Sequence, residues 1–138
     1  MNVIREIVRD QFFLRIPSRP ATADDAAIAD DLLQTLRANA DRCVGMAANM
    51  IGVNVRIIVF SDNGKPCEMF NPVIVKKDGP FDCEEGCLSL ESTRPVRRYK
   101  TIKVQWQTRD MKLRVKAFSG FTAQIIQHEV DHLSGIII

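Results

Sequence analysis

Residues 128–132 read His-Glu-Val-Asp-His, a pattern that does chemistry only if the chain winds there as a helix. On a helix, His128 and His132 stand at i and i+4, one turn apart on the same face. Two imidazoles so placed can share one metal ion, with Glu129 in reach of a water beside it. This is the sequence form of metal-assisted hydrolysis with a carboxylate as general base. The final element is therefore read as helical from Gly120 to His132, with Phe121, Gln124, Ile125, His128 and His132 on linked faces.

His128 and His132 are the only histidines, and the six residues after His132 are Leu, Ser, Gly and three Ile. A third protein ligand is thus expected upstream, as Cys, Asp or Glu. Four cysteines occur, Cys43, Cys67, Cys83 and Cys87. Cys83 and Cys87 could be half of a structural zinc site, but Cys43 and Cys67 lack the spacing of a second half. Cys87 lies in Glu84-Glu85-Gly86-Cys87-Leu88-Ser89. A thiolate there, with two imidazoles, makes a tetrahedral site with one position left for water.

Before the helix, Thr22 can cap an earlier one, with Asp24 and Asp25 in its first turn. Ala27, Ile28, Leu32, Leu33 and Leu36 recur at helical spacing to about Ala40. A Gly- and Ala-rich stretch, Val44 to Ala48, runs on to Gly52. Strand-like segments follow at 56–60, 68–70, 73–75, 101–106 and 113–118, with Arg109-Asp110 as a turn. Strands between two helices, without βαβ alternation, predict an α+β fold: mostly antiparallel sheet packed around a C-terminal helix that carries the His-Glu-x-x-His run. A length of 138 residues predicts one domain, 1–138. The net charge of +2 gives no ground for a nucleic-acid or membrane surface. The charged N-terminus and free-thiol cysteine usage suit a cytoplasmic protein.

Three short runs, taken together, resemble the peptide deformylases. That family carries G-x-G-x-A-A-x-Q, then E-G-C-x-S, then Q-H-E-x-D-H. Here the runs are Cys43-Val44-Gly45-Met46-Ala47-Ala48-Asn49-Met50, Glu85-Gly86-Cys87-Leu88-Ser89 and Gln127-His128-Glu129-Val130-Asp131-His132. The resemblance implies a hydrolase that removes the formyl group from N-formylmethionyl peptides, including ribosome-associated nascent chains. It implies that Cys87, His128 and His132 hold one divalent metal, Fe(II) in cells, with Zn(II), Ni(II) or Co(II) as substitutes. Glu129 would serve as general base and then acid, and the Leu88 backbone N–H would hold the oxyanion. Gly45 would admit the peptide backbone, Val44 would line the methionine pocket, and Arg94 would stand near a substrate carbonyl. Gln127 and Asp131 would orient the ligands, whereas Arg97 and Arg98 read as a solvated face.

The first run departs from the pattern. Cys43 replaces a glycine, and Met50 replaces a glutamine that donates a hydrogen bond at the reacting centre. A thioether cannot donate, and losing one such donor costs roughly 10²–10³ in turnover. Reduced activity is therefore expected. Asn49, in an extended segment, would point away from the site. The alternatives are an impaired homologue that binds metal and formyl peptides, or another amidase or peptidase. The intact Glu129 argues against a pure binder.

Overall fold

The segment Arg56 to Phe60 explains how the molecule is layered. Ile57, Ile58, Val59 and Phe60 are all buried, as expected only when both faces of a strand are covered. Ile57 and Val59 join a core with Leu32, Leu36, Met50 and Phe70. Ile58 and Phe60 point the other way, into a core with Ile102, Val104, Ala123 and Ile126. The period-two alternation of one strand thus feeds two cores, one under each principal helix.

The computed structural model describes residues 4–87, 89 and 92–137. Its helices are α1 (Gln11–Leu14), α2 (Ala26–Ala38) and α3 (Gly120–Leu133). Its strands are β1 (Gly45–Ala47), β2 (Ile57–Asp62), β3 (Lys65–Glu85), β4 (Arg94–Gln107) and β5 (Leu113–Ser119). They form one antiparallel sheet in the order β1-β2-β3-β4-β5. The α+β expectation, with antiparallel sheet against a C-terminal helix, holds. Among the described residues, no helix is long and apolar enough to cross a membrane.

Thr22 caps as expected. Its hydroxyl accepts from Asp24 N at 3.3 Å, while the Asp25 carboxylate accepts from Thr22 N at 2.9 Å. The first turn, Ala23–Asp25, is 3-10, and α2 follows it directly.

The sequence suggests two strands broken at Asn71-Pro72, but the structure has one, β3, with a bulge there. Asn71 takes φ +52°, which asparagine tolerates better than most residues. Its side chain fixes the irregularity by accepting from Ala21 N at 2.7 Å and donating to Ala21 O at 2.9 Å. β3 then continues through Gly79 and Pro80 to Glu85, paired with Arg94. That extension, hidden by two turn-forming residues, ends directly before Gly86-Cys87 and delivers the cysteine toward α3.

Candidate metal centre

α3 packs Ala123, Ile126 and Leu133 into the core and carries His128, Glu129 and His132 at 7%, 4% and 1% exposure. One helical turn separates the imidazoles, and their Nε2 atoms lie 3.0 Å apart. Two nitrogens at about 2.05 Å from one tetrahedral ion would be separated by roughly 3.3 Å, so the rings converge on a single point. Cys87 joins them: its Sγ and a ring nitrogen of each histidine lie within 4.8 Å of one another. The three predicted ligands, from the β3–β4 connection and from α3, meet as one group. A sulfur and two imidazole nitrogens suit a divalent transition metal.

Buried polar partners set the orientation of His128. Its Nδ1 is 2.7 Å from Glu85 Oε1. Burial alone would raise the Glu85 carboxyl pKa, but hydrogen bonds from His128, Arg98 and Gln124 outweigh it and hold the group down to about 2. Glu85 is thus ionised and accepts the Nδ1 proton, which leaves Nε2 as the ligating atom. Burial likewise works to lower the His128 pKa, yet hydrogen bonds to Cys87 and Glu85 and the Glu129 charge raise it to about 10. Burial and the neighbouring His128 charge push His132 down to about 3. A bound cation would displace the proton that His128 otherwise holds.

Glu85 and Arg98 are the functional side chains that sequence reasoning missed. The expectation of a solvated Arg98 is wrong: it is 4% exposed. Its Nη2 donates to Glu85 Oε1 at 2.7 Å and its Nη1 to Asp131 Oδ2 at 2.7 Å. The available signal was parity, since Arg98 shares the inward face of β4 with Ile102 and Val104. Arg97, on the opposite face, is exposed and paired with Asp82, as expected. Gln127 also differs from expectation. It accepts from Tyr99 N at 2.8 Å and donates to Tyr99 O at 2.8 Å. It therefore anchors α3 to β4 and does not touch a ligand. Among the described residues, the Asp131 side chain reaches the ligands through Arg98.

Arg98→Ala tests this clamp. The substitution leaves the Glu85 carboxylate buried with much of its compensation gone, a change that typically costs about 3–5 kcal/mol. A urea denaturation series on the metal-free protein should show a loss of that order. A loss well under about 1 kcal/mol, typical of a surface pair, would show that the cluster contributes little.

Glu129 lines the same cavity as Cys87 and His128. It is buried, and its Oε1 has no hydrogen-bond partner among the described residues. Burial raises its pKa to about 7. An orphaned carboxyl, its pKa raised by burial, beside two converging imidazoles is the arrangement that a cation and a water would complete. Gly45, in β1, makes room for it: a Cβ there would fall 2.7 Å from Ile125 Cγ2 and 3.0 Å from Glu129 Oε2. The glycine is thus required first by Ile125 and then by Glu129, in addition to any demand from substrate.

A cavity of about 520 Å³ opens over the group and is lined by Val44, Gly45, Met50, Phe121, Ile125 and Glu129, among others. Val44 is 40% exposed and Met50 1%, so the valine forms the rim and the methionine the floor. Cys43 also lines it, with its thiol on Gly45 O at 2.9 Å. Burial pushes that thiol up to about 12, which makes it unreactive. Arg94 begins β4 and is half-buried, but it does not line the cavity among the described residues. Leu88, expected to supply an oxyanion N–H, lies outside the described residues. Residues 48–51 form a 3-10 turn, where an extended segment was expected. Asn49 does point away from the cavity, and its Nδ2 donates to His132 O at 2.9 Å.

Comparison with known proteins gives a consistent result. Residues 4–138 match the family model described as polypeptide deformylase. The chain is 52% identical over 136 residues to a peptide deformylase of Clostridium beijerinckii, covering 99% of this chain and 100% of that one. It superimposes with a TM-score of 0.86 on the Met-Ala-Ser-bound class I type b peptide deformylase of Acinetobacter baumannii, at 28% identity over 99% of this chain and 97% of the other. For the peptide deformylase of Thermus thermophilus the TM-score is 0.87, at 31% identity over 98% and 83% of the two chains.

Proposed function

The chain belongs to the polypeptide deformylase family and is a metal-dependent hydrolase of N-formylmethionyl peptides; we propose that Cys87, His128 and His132 hold its metal and that Glu129 is its proton-transfer group. The convergence of the two Nε2 atoms at 3.0 Å beside an orphaned Glu129 carries this reading. Fe(II) is the ion for cells, while Zn(II), Ni(II) and Co(II) satisfy the same sulfur and nitrogen donors. When bound, such an ion polarises a carbonyl and acidifies water.

The protein groups do the rest. Glu85 fixes the His128 tautomer, and Arg98 fixes Glu85. Glu129 takes a proton from the attacking water and returns it to the leaving amine, a round trip that suits a carboxyl near pH 7. Val44 and its apolar neighbours receive the methionine side chain, and Gly45 lets the peptide backbone lie close. The Leu88 N–H helps to hold the developing oxyanion. Residues 1–138 act as one domain in the cytoplasm, on free formyl peptides and on nascent chains at the ribosome.

Met50 sets the expected rate. It forms cavity floor where a hydrogen-bond donor would assist the oxyanion, so turnover is slowed. Met50→Gln should raise formate release from formyl-Met-Ala-Ser by roughly one to three orders of magnitude in Fe(II)- or Ni(II)-loaded protein prepared anaerobically. An unchanged or lower rate would show that Met50 does not limit the enzyme.

A further inference from the structure

We infer that Asn49 is a positioning residue for the metal ligand His132, acting on its backbone from outside the helix. The inference rests on the reading of His132 as a ligand. His132 is the penultimate residue of α3. Carbonyls in the last turn of a helix have no intrahelical N–H partner, and such turns fray unless other donors hold them. Among the described residues, His132 O is reached by Gly135 N at 3.0 Å, by the Ser134 backbone N–H and, from 83 positions away in sequence, by Asn49 Nδ2 at 2.9 Å.

The donor is itself held rigidly. Asn49 is fully buried in the turn Ala48–Ile51. That turn is closed by Gly52 N on Asn49 O at 3.1 Å and Val53 N on Ala48 O at 3.2 Å, and Val8 N ties down Met50 O at 2.8 Å. Ala48, Met50 and Ile51 are embedded in the core under α2. The carbonyl of a metal ligand is thus referenced to the core rather than to a helix end.

The choice of side chain supports a directed role. The Asn49 Oδ1 is buried and has no partner among the described residues. An apolar residue of similar size would fill the same space without stranding an acceptor. What the amide adds is one N–H directed at His132. The two histidines are therefore set by different devices: Glu85 holds the His128 ring at Nδ1, and Asn49 holds the His132 backbone. The same bond couples the segment carrying Met50 to the helix carrying the ligands.

The test uses Co(II) as the probe, because its ligand-field absorption reports the donor geometry directly. Asn49→Leu keeps the branched shape, with somewhat greater bulk, and removes the donor. Asn49→Ser is the second variant, in case leucine prevents folding. Each is compared with the parent protein for Co(II) affinity by chelator competition, for the visible spectrum of the Co(II) form, and for melting of the metal-free form. The expected result is a roughly 10–100-fold weaker Co(II) affinity, as for loss of other groups that orient ligands, with an altered spectrum. A Co(II) affinity within about twofold of the parent and a superimposable spectrum would overturn the inference, whatever happens to melting. Failure of both variants to fold would also overturn it, since Asn49 would then serve the fold and not the ligand. His132→Ala separates the two readings. If that variant binds Co(II) as the parent does, the ligand set is wrong. If it loses Co(II) while Asn49→Leu binds normally, only the positioning role fails.

Discussion

Glu129→Gln is expected to lower formate release by roughly 10²–10⁴-fold while leaving the metal content unchanged. The amide matches the carboxylate in size, so the close packing against Gly45 is kept. What is lost is the ability to accept a proton. The Glu129 carboxyl is suited to that task for a physical reason: burial holds its pKa near 7, where proton acceptance and return are both accessible at neutral pH. Its Oε1 makes no competing hydrogen bond among the described residues, so the group is available to bind the reacting water. Formate assay and elemental analysis on the same preparation decide the outcome. Turnover within about tenfold of the parent, with full metal, would remove Glu129 from the proton-transfer role.

The site was largely legible in the sequence because it is encoded locally. The i, i+4 spacing of His128 and His132 needs only a helix to become geometry, and a helix pattern was present. Cys87 was legible from its run and its chemistry. What escaped was anything that depends on long-range pairing. Glu85 and Arg98 are 13 positions apart and meet only because β3 and β4 pair in register to their ends. Only the alternation with Ile102 and Val104 along β4 distinguishes Arg98 from Arg97, and it makes one a buried clamp and the other an exposed pair. The bulge at Asn71 escaped for a related reason. Asn-Pro reads as a break, and only the side-chain bonds to Ala21 reveal a strand that bends and continues. Asn49 was assigned the right direction on the wrong backbone: it leaves the cavity because of a 3-10 turn and not because of extended alternation.

Cys87→Ala and His132→Ala should each bring bound metal to near zero and abolish the thermal stabilisation that metal confers. A metal that binds only the folded chain stabilises it by about 4 kcal/mol when present at a thousandfold excess over its dissociation constant. For a chain of this length that corresponds to a rise in Tm on the order of 10 °C. Each substitution removes one of three protein donors and leaves a pair that many surface sites could match. The metal-free variants should nonetheless melt close to the metal-free parent, for different reasons. Cys87 is only partly buried, so truncation leaves little void. His132, at 1% exposure, leaves a larger one, but its buried Nδ1 has no hydrogen-bond partner among the described residues, and that penalty is relieved on removal. Differential scanning calorimetry with and without Ni(II), alongside elemental analysis, reads both effects. A metal-dependent rise in Tm that survives in both variants would mean that the ion sits elsewhere. A rise lost in His132→Ala but kept in Cys87→Ala would place it on the histidines with a different third donor, and the orphaned Glu129 carboxylate would be the first to examine.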